Sequence, residues 1–431
     1  MLTEMQKKVL DSIDEAEVVS FGMALTDIYS PTGSEAEAAR FCFEEFHRLG
    51  LRCKLQEVAQ GRCNAVGELP GTGGGLNLMF NGHLDISNTT RELHIPGGTA
   101  SFTHKHSQAS ETVDQRSTLE DGWIRGNGIR NMKSAHAAYF GAVSAIMKAG
   151  VRLKGNIMLA AVCGEIEKTP VDDYQGQEYR GYGEGTRFLV THGGGLVNGC
   201  ILGEPTSLRI MRGNFGTIWL KLSTRGDYSH TAWADQVDNG IEEMARLLGP
   251  LRAWIEKYRN RRDYFGVRPQ GSMSAIQGGW PWRLSRTPTY CNLYLDVRYI
   301  PGMHPLEVKD EIDAVIAEVC KSRPKLEIES ELLITVPPAE TPADASVVQC
   351  LTTAHRTLFD KEPEESFKGA YTDASHLTAY GIPTVIYGPA GRNRPGVPEY
   401  VYGYQPVDDL MNATRVYALA ALDFCMRERH G

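Results

Sequence analysis

Four short segments of the chain carry side chains that could bind a divalent metal and activate water. His83 and Asp85 lie in N-G-H-L-D, directly after the apolar run LNLMF, and Asn131 lies in GNGIRNMKS. Glu165 follows the run NIMLAAV, and Glu204 lies in L-G-E-P-T after the run CIL. Imidazole, carboxylate and amide groups are metal ligands, and a partly desolvated carboxylate is a candidate general base. Taken singly, each segment also has a plainer interpretation as a hydrogen-bonded strand end, a helix cap or a surface acid.

Buried strands that alternate with helices must bring these segments together. Short apolar runs predict strands at 76–80, 156–162, 200–203 and 383–388. Helical patterns predict helices at 34–49, where Ser34 and Glu37 form a capping-box sequence, at 131–149 with Asn131 at its N-terminus, and at 345–359. The pattern is typical of an α/β fold with a mostly parallel, doubly wound sheet. Such sheets bind ligands at the carboxyl ends of their strands, so we expect the polar segments to meet there.

A different pattern occupies the middle of the chain. Between residues 208 and 334, alternating strands such as TIWLKLSTRG and CNLYLDVRYIPG frame two helical patterns, at 239–258 and 305–320. This predicts an inserted α+β domain at 208–334 within a catalytic domain made of 1–207 and 335–431. The first 19 residues have the pattern of one amphipathic helix, and the stretch at 87–120 has that of a long loop.

Composition excludes several classes of function. The chain of 431 residues has a net charge of −8, which argues against general binding of nucleic acid or anionic membranes. No apolar run approaches the roughly 20 residues that span a bilayer, and the N-terminal stretch does not resemble a signal peptide. Nine cysteines are scattered without a C-x-x-C pair and are expected to be reduced, mostly buried thiols. We therefore expect a cytoplasmic protein.

The order of motifs resembles the M20 metallopeptidase and amidohydrolase family. The chain carries G-H-x-D, then G-x-G-x-x-N-M-K, where the family has an acid before M-K, then an acidic turn after a strand. G-E-P-T, G-x-x-S-H, D-x-R and T-D-A follow, so the similarity covers nearly the whole sequence. The family includes carboxypeptidases, aminoacylases, deacetylases and desuccinylases, and its members normally hold two divalent metals. The resemblance implies that the inserted domain is a lid and dimerisation domain.

The resemblance assigns roles to the polar residues. His83 matches a ligand of the first metal, Asp85 the residue that supports this histidine, and Glu204 the acidic ligand of the first metal. Glu165 matches the general base. Asn131 matches the carboxylate that bridges both metals in relatives.

Three positions depart from the family pattern, and all three concern the second metal. Asn131 replaces the bridging acid, Ile166 replaces the private acidic ligand, and the last turn, GPAGRNRPGVPEYV, lacks the usual histidine. We therefore hypothesise a mononuclear site on His83 and Glu204, with Asn131 contributing its amide oxygen directly or through water. One exchangeable divalent ion per subunit is expected, and zinc, manganese and cobalt suit these ligands.

Several further residues are candidates for substrate binding. Arg392 and Arg394 lie in the turn that lost its histidine and could hold a substrate carboxylate, although a solvated basic loop is an equal alternative. Arg298 matches an arginine that binds the substrate carboxylate in some relatives. His230 matches a histidine that reaches into the neighbouring subunit's site and polarises the scissile carbonyl, which implies a homodimer through the inserted domain.

Other residues have less definite roles. An asparagine that usually precedes Arg298 by about a dozen residues is replaced by WPWRLSRTP, and Trp280, Trp282 and Arg283 suggest a flat ligand or, alternatively, surface packing. Asp373 is expected to support the fold near the site. His376 and His136 are expected to be packed residues. The loop histidines His94, His104 and His106 could supply a missing ligand or a specificity contact.

The sequence predicts a metal-dependent hydrolase of a C–N bond in a small acidic substrate. Two reactions fit: deacylation of an N-acyl amino acid, and hydrolytic removal of the amino group from an aminobenzoate such as 5-nitroanthranilate. Glu165 would deprotonate a metal-activated water. The alternatives are a non-catalytic small-molecule-binding protein and a dimeric scaffold. Retention of polar residues at an edge expected to be buried argues against the binding protein, since each such residue costs desolvation; the residues are His83, Asp85, Glu165, Glu204 and His230. The scaffold alternative predicts that no ligand binds in the crevice.

Overall fold

The computed structural model describes residues 2–86, 116–389, 394–396 and 403–429. These residues form two compact units. The first lies within 1–213, 340–366 and 372–431, and the second within 214–339 and 367–371. No helix in the described part of the chain is long and apolar enough to cross a membrane. All nine cysteines are free, and seven of them are buried, so the prediction that the thiols are mostly buried is confirmed.

The strands of both units are numbered in chain order. They are β1 Arg52–Ala59, β2 Arg62–Leu69, β3 Leu78–His83, β4 Thr118–Glu120, β5 Trp123–Arg125, β6 Ile157–Val162, β7 Gly199–Leu202, β8 Ile210–Asn214, β9 Gly216–Arg225, β10 Gln270–Gly278, β11 Tyr290–Tyr299, β12 Ile328–Val336, β13 Ala339–Glu340, β14 Glu365–Lys368, β15 Thr384–Ile386 and β16 Tyr404–Pro406.

The helices are numbered in the same way. They are α1 Glu4–Asp11, α2 Glu15–Thr26, α3 Ala36–Arg48, α4 Ser134–Lys148, α5 Glu184–His192, α6 Gly240–Arg259, α7 Pro305–Lys321, α8 Ser346–Phe359, α9 Ala374–Ala379 and α10 Val407–Met426.

A central sheet organises the first unit. Its strands run in the order β1-β2-β6-β3-β7-β15-β8-β13. The four middle strands are parallel, and β1, β2 and β8 pair antiparallel at the flanks. The predicted α/β class with a mostly parallel central sheet is confirmed. The middle strands are the predicted apolar runs, because strands covered on both faces must be apolar throughout.

Helix α4 packs into the core of this unit and is buried from Ser134 to Ile146. Tyr139 on α4 stacks on Phe80 of β3, with ring centroids 4.8 Å apart, and lies 5.0 Å from Tyr417 of α10. A second, small sheet has the strand order β16-β5-β4. Two of its strands, β4 and β5, come before α4 in the chain. Strand β5 leads directly into GNGIRNMKS, so this sheet anchors the segment that carries Asn131.

The second unit has a sheet in the order β10-β11-β9-β12, which is antiparallel throughout. Alternate residues of β9 and β11, such as Leu220 and Leu295, face helices α6 and α7 and form one core with Leu247 and Ile312. Strand β10 lies at the edge, and most of its residues are exposed.

Three local predictions were wrong. The N-terminal 19 residues form two helices, because Asp14 caps α2 by accepting from the backbone N of Glu17. Helix α3 begins after Glu35 and has no capping box at Ser34. The predicted helix at 131–149 begins at Ser134, because Asn131 has an extended backbone (φ −131°, ψ 97°) inside an irregular turn at Ile129–Lys133.

Candidate metal centre

Three neighbouring parallel strands deliver three candidate ligands to one edge of the central sheet. His83 is the last residue of β3 and lies opposite Val162, the last residue of β6. Glu165 and Glu204 follow β6 and β7 by three and two residues, so all three side chains lie at the carboxyl edge. All three are buried.

The Nε2 atom of His83 faces three oxygen atoms. It lies 3.3 Å from Oδ1 of Asn131, 3.6 Å from Oε1 of Glu204 and 3.8 Å from Oε2 of Glu165. Two ligands that each lie about 2.1 Å from a tetrahedral metal are about 3.4 Å apart, so these separations fit a common ion. One ligand atom each from His83, Glu165 and Glu204 lies within 4.8 Å of the others. The donor set therefore fits a divalent cation.

Hydrogen bonding prepares His83 to be a ligand. Its Nδ1 donates to the backbone O of Asp85 at 2.7 Å. A carbonyl oxygen only accepts, so Nδ1 carries a proton, and Nε2, which faces the oxygen cluster, is the ring nitrogen that would bind a metal. Nε2 of His136 donates to the backbone O of His83 at 3.0 Å, which makes His136 a packed residue that supports the end of β3.

The charges of this cluster are strongly coupled. Burial raises the pKa of Glu165 well above its usual value, although the neighbouring His83 opposes this rise. Burial alone would lower the pKa of His83, but Glu165, Asp85 and Glu204 raise it well above its usual value. Buried acids that raise the pKa of an imidazole also attract a metal cation.

Asp85 supports the site through the backbone of Glu165 as much as through His83. Its carboxylate accepts from the backbone N of Glu165 at 3.0 Å and of Ile166 at 3.2 Å. Oδ2 also accepts from Oγ1 of Thr32 at 2.9 Å, a contact that the sequence did not indicate. Burial raises the pKa of Asp85, but these hydrogen bonds and His83 lower it to about 2. Asp85 thus remains an anion that fixes the turn carrying Glu165.

Two other candidate residues of the first unit, Asp373 and His376, have hydrogen-bond partners within the fold. Asp373 is buried and accepts from Oγ1 of Thr186 at 2.7 Å, and burial raises its pKa to about 7. His376 donates from Nε2 to the backbone O of Tyr182 at 2.7 Å, so this nitrogen is committed to the fold. Ile166 offers no ligand atom.

The predicted substrate residues of the second unit have local partners. His230 is exposed, and its Nδ1 accepts from the backbone N of Ala232 at 3.1 Å. Arg298 donates to both carboxylate oxygens of Asp296 at 2.7 Å and to Oγ1 of Thr217 at 3.2 Å. Both assignments to substrate binding stay predictions.

The final turn is described only in part. Arg394 donates to Oδ2 of Asp121 at 2.7 Å, in the turn between β4 and β5, and its Nη1 lies 3.8 Å from Glu120. Arg392 and the loop histidines His94, His104 and His106 lie outside the described residues. Their predicted roles stay predictions.

Comparison with known families identifies the family of this chain. The model of peptidase family M20/M25/M40 matches residues 105–423, which is most of the chain. The chain belongs to this family. Acetylornithine deacetylase of Myxococcus xanthus is 29% identical over 244 residues, which cover 56% of this chain and 61% of that protein.

A second relative aligns over almost the full length. N-formyl-4-amino-5-aminomethyl-2-methylpyrimidine deformylase of Bacillus subtilis is 22% identical over 99% of this chain and 98% of its own length. Human carnosine dipeptidase 1 has the same fold, with a TM-score of 0.72 at 15% identity over 99% of this chain and 100% of that one. The predicted enzyme class of this M20 member, a metal-dependent hydrolase acting on carbon–nitrogen bonds, is confirmed.

Proposed function

We propose that this M20 enzyme hydrolyses a C–N bond in a small acidic substrate at a single metal ion, with Glu165 as the general base. The observation that supports this most directly is the arrangement of Asn131, Glu165 and Glu204 around Nε2 of His83, at 3.3–3.8 Å. His83, Glu204 and Asn131 would hold the ion. Bound there, a divalent cation would polarise the substrate and lower the pKa of a water molecule.

Glu165 has the environment of a proton acceptor. Burial raises the pKa of Glu165 and makes its carboxylate more basic than that of an exposed glutamate, which favours proton acceptance from water. Asp85 binds the backbone N of Glu165 and thereby keeps its carboxylate near His83. Glu165 would take a proton from water and return it to the leaving nitrogen.

The proposal of a single metal ion rests on the ligands that a second metal ion would need and that this sequence lacks. Ile166 replaces an acid, and the amide of Asn131 binds a cation more weakly than a bridging carboxylate would. Among the described residues there is one group of three or more His, Cys, Asp or Glu side chains that could hold a metal ion, and it consists of His83, Glu165 and Glu204. Zinc, manganese and cobalt all suit nitrogen and oxygen donors of this kind.

The first candidate substrate is an N-acyl amino acid. The deacetylase and the deformylase that resemble this chain are named for removing acyl groups from nitrogen. We propose that Arg298, Arg392 and Arg394 bind the substrate carboxylate, since a guanidinium matches it with two parallel hydrogen bonds. Binding by Arg394 would require it to leave Asp121.

A second candidate is hydrolytic deamination of an aminobenzoate such as 5-nitroanthranilate. It is supported by aromatic side chains of the second unit. The His230 ring lies 5.6 Å from Trp233, Tyr228 lies 5.9 Å from Trp280, and Trp282 is 77% exposed. Exposed aromatic rings offer flat surfaces for a planar ligand. In that reaction Glu165 would have the same role: the oxygen of water would bond to the ring carbon that bears the amino group, the C–N bond would break, and the products would be a hydroxybenzoate and ammonia.

Metal content and turnover test the proposal together. Protein purified without chelator is expected to carry one metal per chain, and His83→Ala is expected to lose it. Glu165→Gln is expected to keep the metal but lose about 10²-fold or more in kcat. N-acetyl and N-succinyl amino acids and nitro-substituted aminobenzoates are the substrates to compare.

Three results would contradict parts of this proposal. Two metals per chain would exclude the mononuclear site, and full turnover by Glu165→Gln would exclude Glu165 as the base. Failure to bind metal even after incubation with zinc or manganese, without any turnover, would support the alternative of a non-catalytic small-molecule-binding protein.

A further inference from the structure

A buried arginine lies behind the turn that carries Glu165. Arg62, the first residue of β2, is fully buried and donates to both carboxylate oxygens of Glu35, from Nε at 3.0 Å and from Nη2 at 2.6 Å. Its Nη1 donates to the backbone O of Arg180 at 2.7 Å and to the carboxylate of Glu184. The guanidinium thus joins three segments that are distant in sequence.

The same guanidinium lies against Gly164, the residue before Glu165. A Cβ atom on Gly164 would lie 2.2 Å from Nη2 of Arg62 and 3.2 Å from its Cζ. The backbone O of Gly164 accepts from the N of Gly183 at 2.8 Å and of Glu184 at 3.1 Å. The position of Gly164 is therefore set by Arg62 itself and by the segment that Arg62 holds through Arg180 and Glu184.

We propose that Arg62 is a positioning residue for the general base, so this inference rests on Glu165 having the role proposed above. Asp85 holds the turn by accepting from the backbone N of Glu165 and Ile166. Arg62 holds it from the side of Gly164. Together they fix the backbone on either side of the base, and a small displacement of a catalytic group lowers the rate strongly.

A buried ion-pair network of this kind is weak evidence for a role in stability. A buried ion pair is often no more stabilising than a well-packed apolar replacement, because its desolvation offsets the attraction between its charges. A rigid planar fork with five donors, in contrast, sets distances to several acceptors at once. That property matters for holding a reactive carboxylate near His83.

The contact between Arg62 and Gly164 can be tested without removing the buried charge. Gly164→Ala places a methyl group on Nη2, which cannot move without breaking its hydrogen bond to Glu35. Gly164 has φ +70°, so backbone strain must be controlled for. Gly150→Ala is the matched control, since Gly150 has φ +66° and nothing lies within 4 Å of its added Cβ. Arg62→Lys is the second variant and keeps the positive charge without the fork.

The readouts are kcat and KM measured separately, metal per chain and the thermal midpoint. We expect Gly164→Ala and Arg62→Lys to lower kcat by about tenfold or more, with KM within about twofold and the metal retained. Gly150→Ala should keep the wild-type kcat. The inference is wrong if Gly164→Ala matches Gly150→Ala in kcat, or if it acts by losing metal. Should Gly164→Ala not fold, an unchanged kcat in Arg62→Lys is the contradicting result.

Glu165→Gln separates this inference from the function on which it rests. If Glu165→Gln retains full turnover, the proposed role of the base fails. If Glu165→Gln is inactive while Gly164→Ala and Arg62→Lys keep the kcat of Gly150→Ala, only the positioning role of Arg62 fails.

Discussion

Asn131 presents an amide oxygen 3.3 Å from Nε2 of His83. The sequence resemblance predicts that this position matches the bridging carboxylate of a two-metal site. An amide is neutral, so Asn131→Asp adds a negative charge beside the ion. We expect this change to tighten metal binding by about tenfold or more. The number of ions should stay at one per chain, because Ile166 still offers no ligand. Competition titration gives the affinity, and mass spectrometry gives the stoichiometry.

The control for this prediction is Asn131→Ala, which removes the oxygen and should weaken binding. If Asn131→Asp and Asn131→Ala both bind metal with wild-type affinity, Asn131 does not contact the ion. A second equivalent in Asn131→Asp would mean that the bridging position alone decides between one ion and two, and the contribution of Ile166 would then be minor.

At the scale of helices, substitution of a glycine by alanine tests how closely neighbouring helices pack. A Cβ on Gly141 of α4 would lie 2.3 Å from Cγ2 of Val18 on α2 and 3.2 Å from Cγ2 of Thr414 on α10. Gly141→Ala is therefore expected to lower the free energy of unfolding by about 1–3 kcal/mol. Gly249 of α6 is exposed, and apart from its chain neighbours nothing lies within 4 Å of an added Cβ. The helical preference of alanine there is offset by the ring of Pro250, which crowds a Cβ on the residue before it, so Gly249→Ala should change the free energy of unfolding by less than about 1 kcal/mol.

Urea unfolding, followed separately for each unit by local fluorescence labels, measures both changes. The helical preference of alanine is common to the two substitutions, so their difference reports the close approach of α2, α4 and α10. If both variants raise the free energy of unfolding equally, the helices can move apart to accept the added methyl group without loss of stability, and the close packing described above is not rigid.

The sequence predicts elements whose pattern is local and misses contacts that are not. Apolar runs identify the central strands because they are buried on both faces. The break at Ser12–Asp14 was missed, although Asp14 and Glu17 have the spacing of a helix cap. The irregular turn before α4 has no such pattern, since it depends on a hydrogen bond from the Lys133 N to the Gly128 O.

The same limit applies to the site. His83, Glu165 and Glu204 follow strands and stand out as polar residues after apolar runs. Arg62 and Glu35 are 27 residues apart, and Glu184 is 122 residues from Arg62, so no periodicity links them. Thr32, which donates to Asp85, is likewise 53 residues away from it. Only the folded sheet brings such supports together.

Assembly is the question at the scale of the whole molecule. Strand β10 is an edge of the second unit's sheet and exposes Met273 and Ile276, and the following loop exposes Trp282 and Leu284. An exposed sheet edge with apolar side chains is a surface that pairs with another chain. These features support a homodimer through this unit, as the family resemblance implies.

If the partner's copy of His230 completes each site, two inactive variants should restore activity to one another. His230→Ala and Glu165→Gln homodimers are each expected to be nearly inactive. After subunits exchange at random, half of the dimers are mixed, and each mixed dimer has one site with both Glu165 and the partner's His230. About a quarter of wild-type activity should therefore appear.

Light scattering before and after mixing checks that dimers persist. If the subunits have exchanged and no activity is recovered, His230 acts within its own chain or has no role in catalysis. Only a residue that is supplied across the interface can be restored by a second chain.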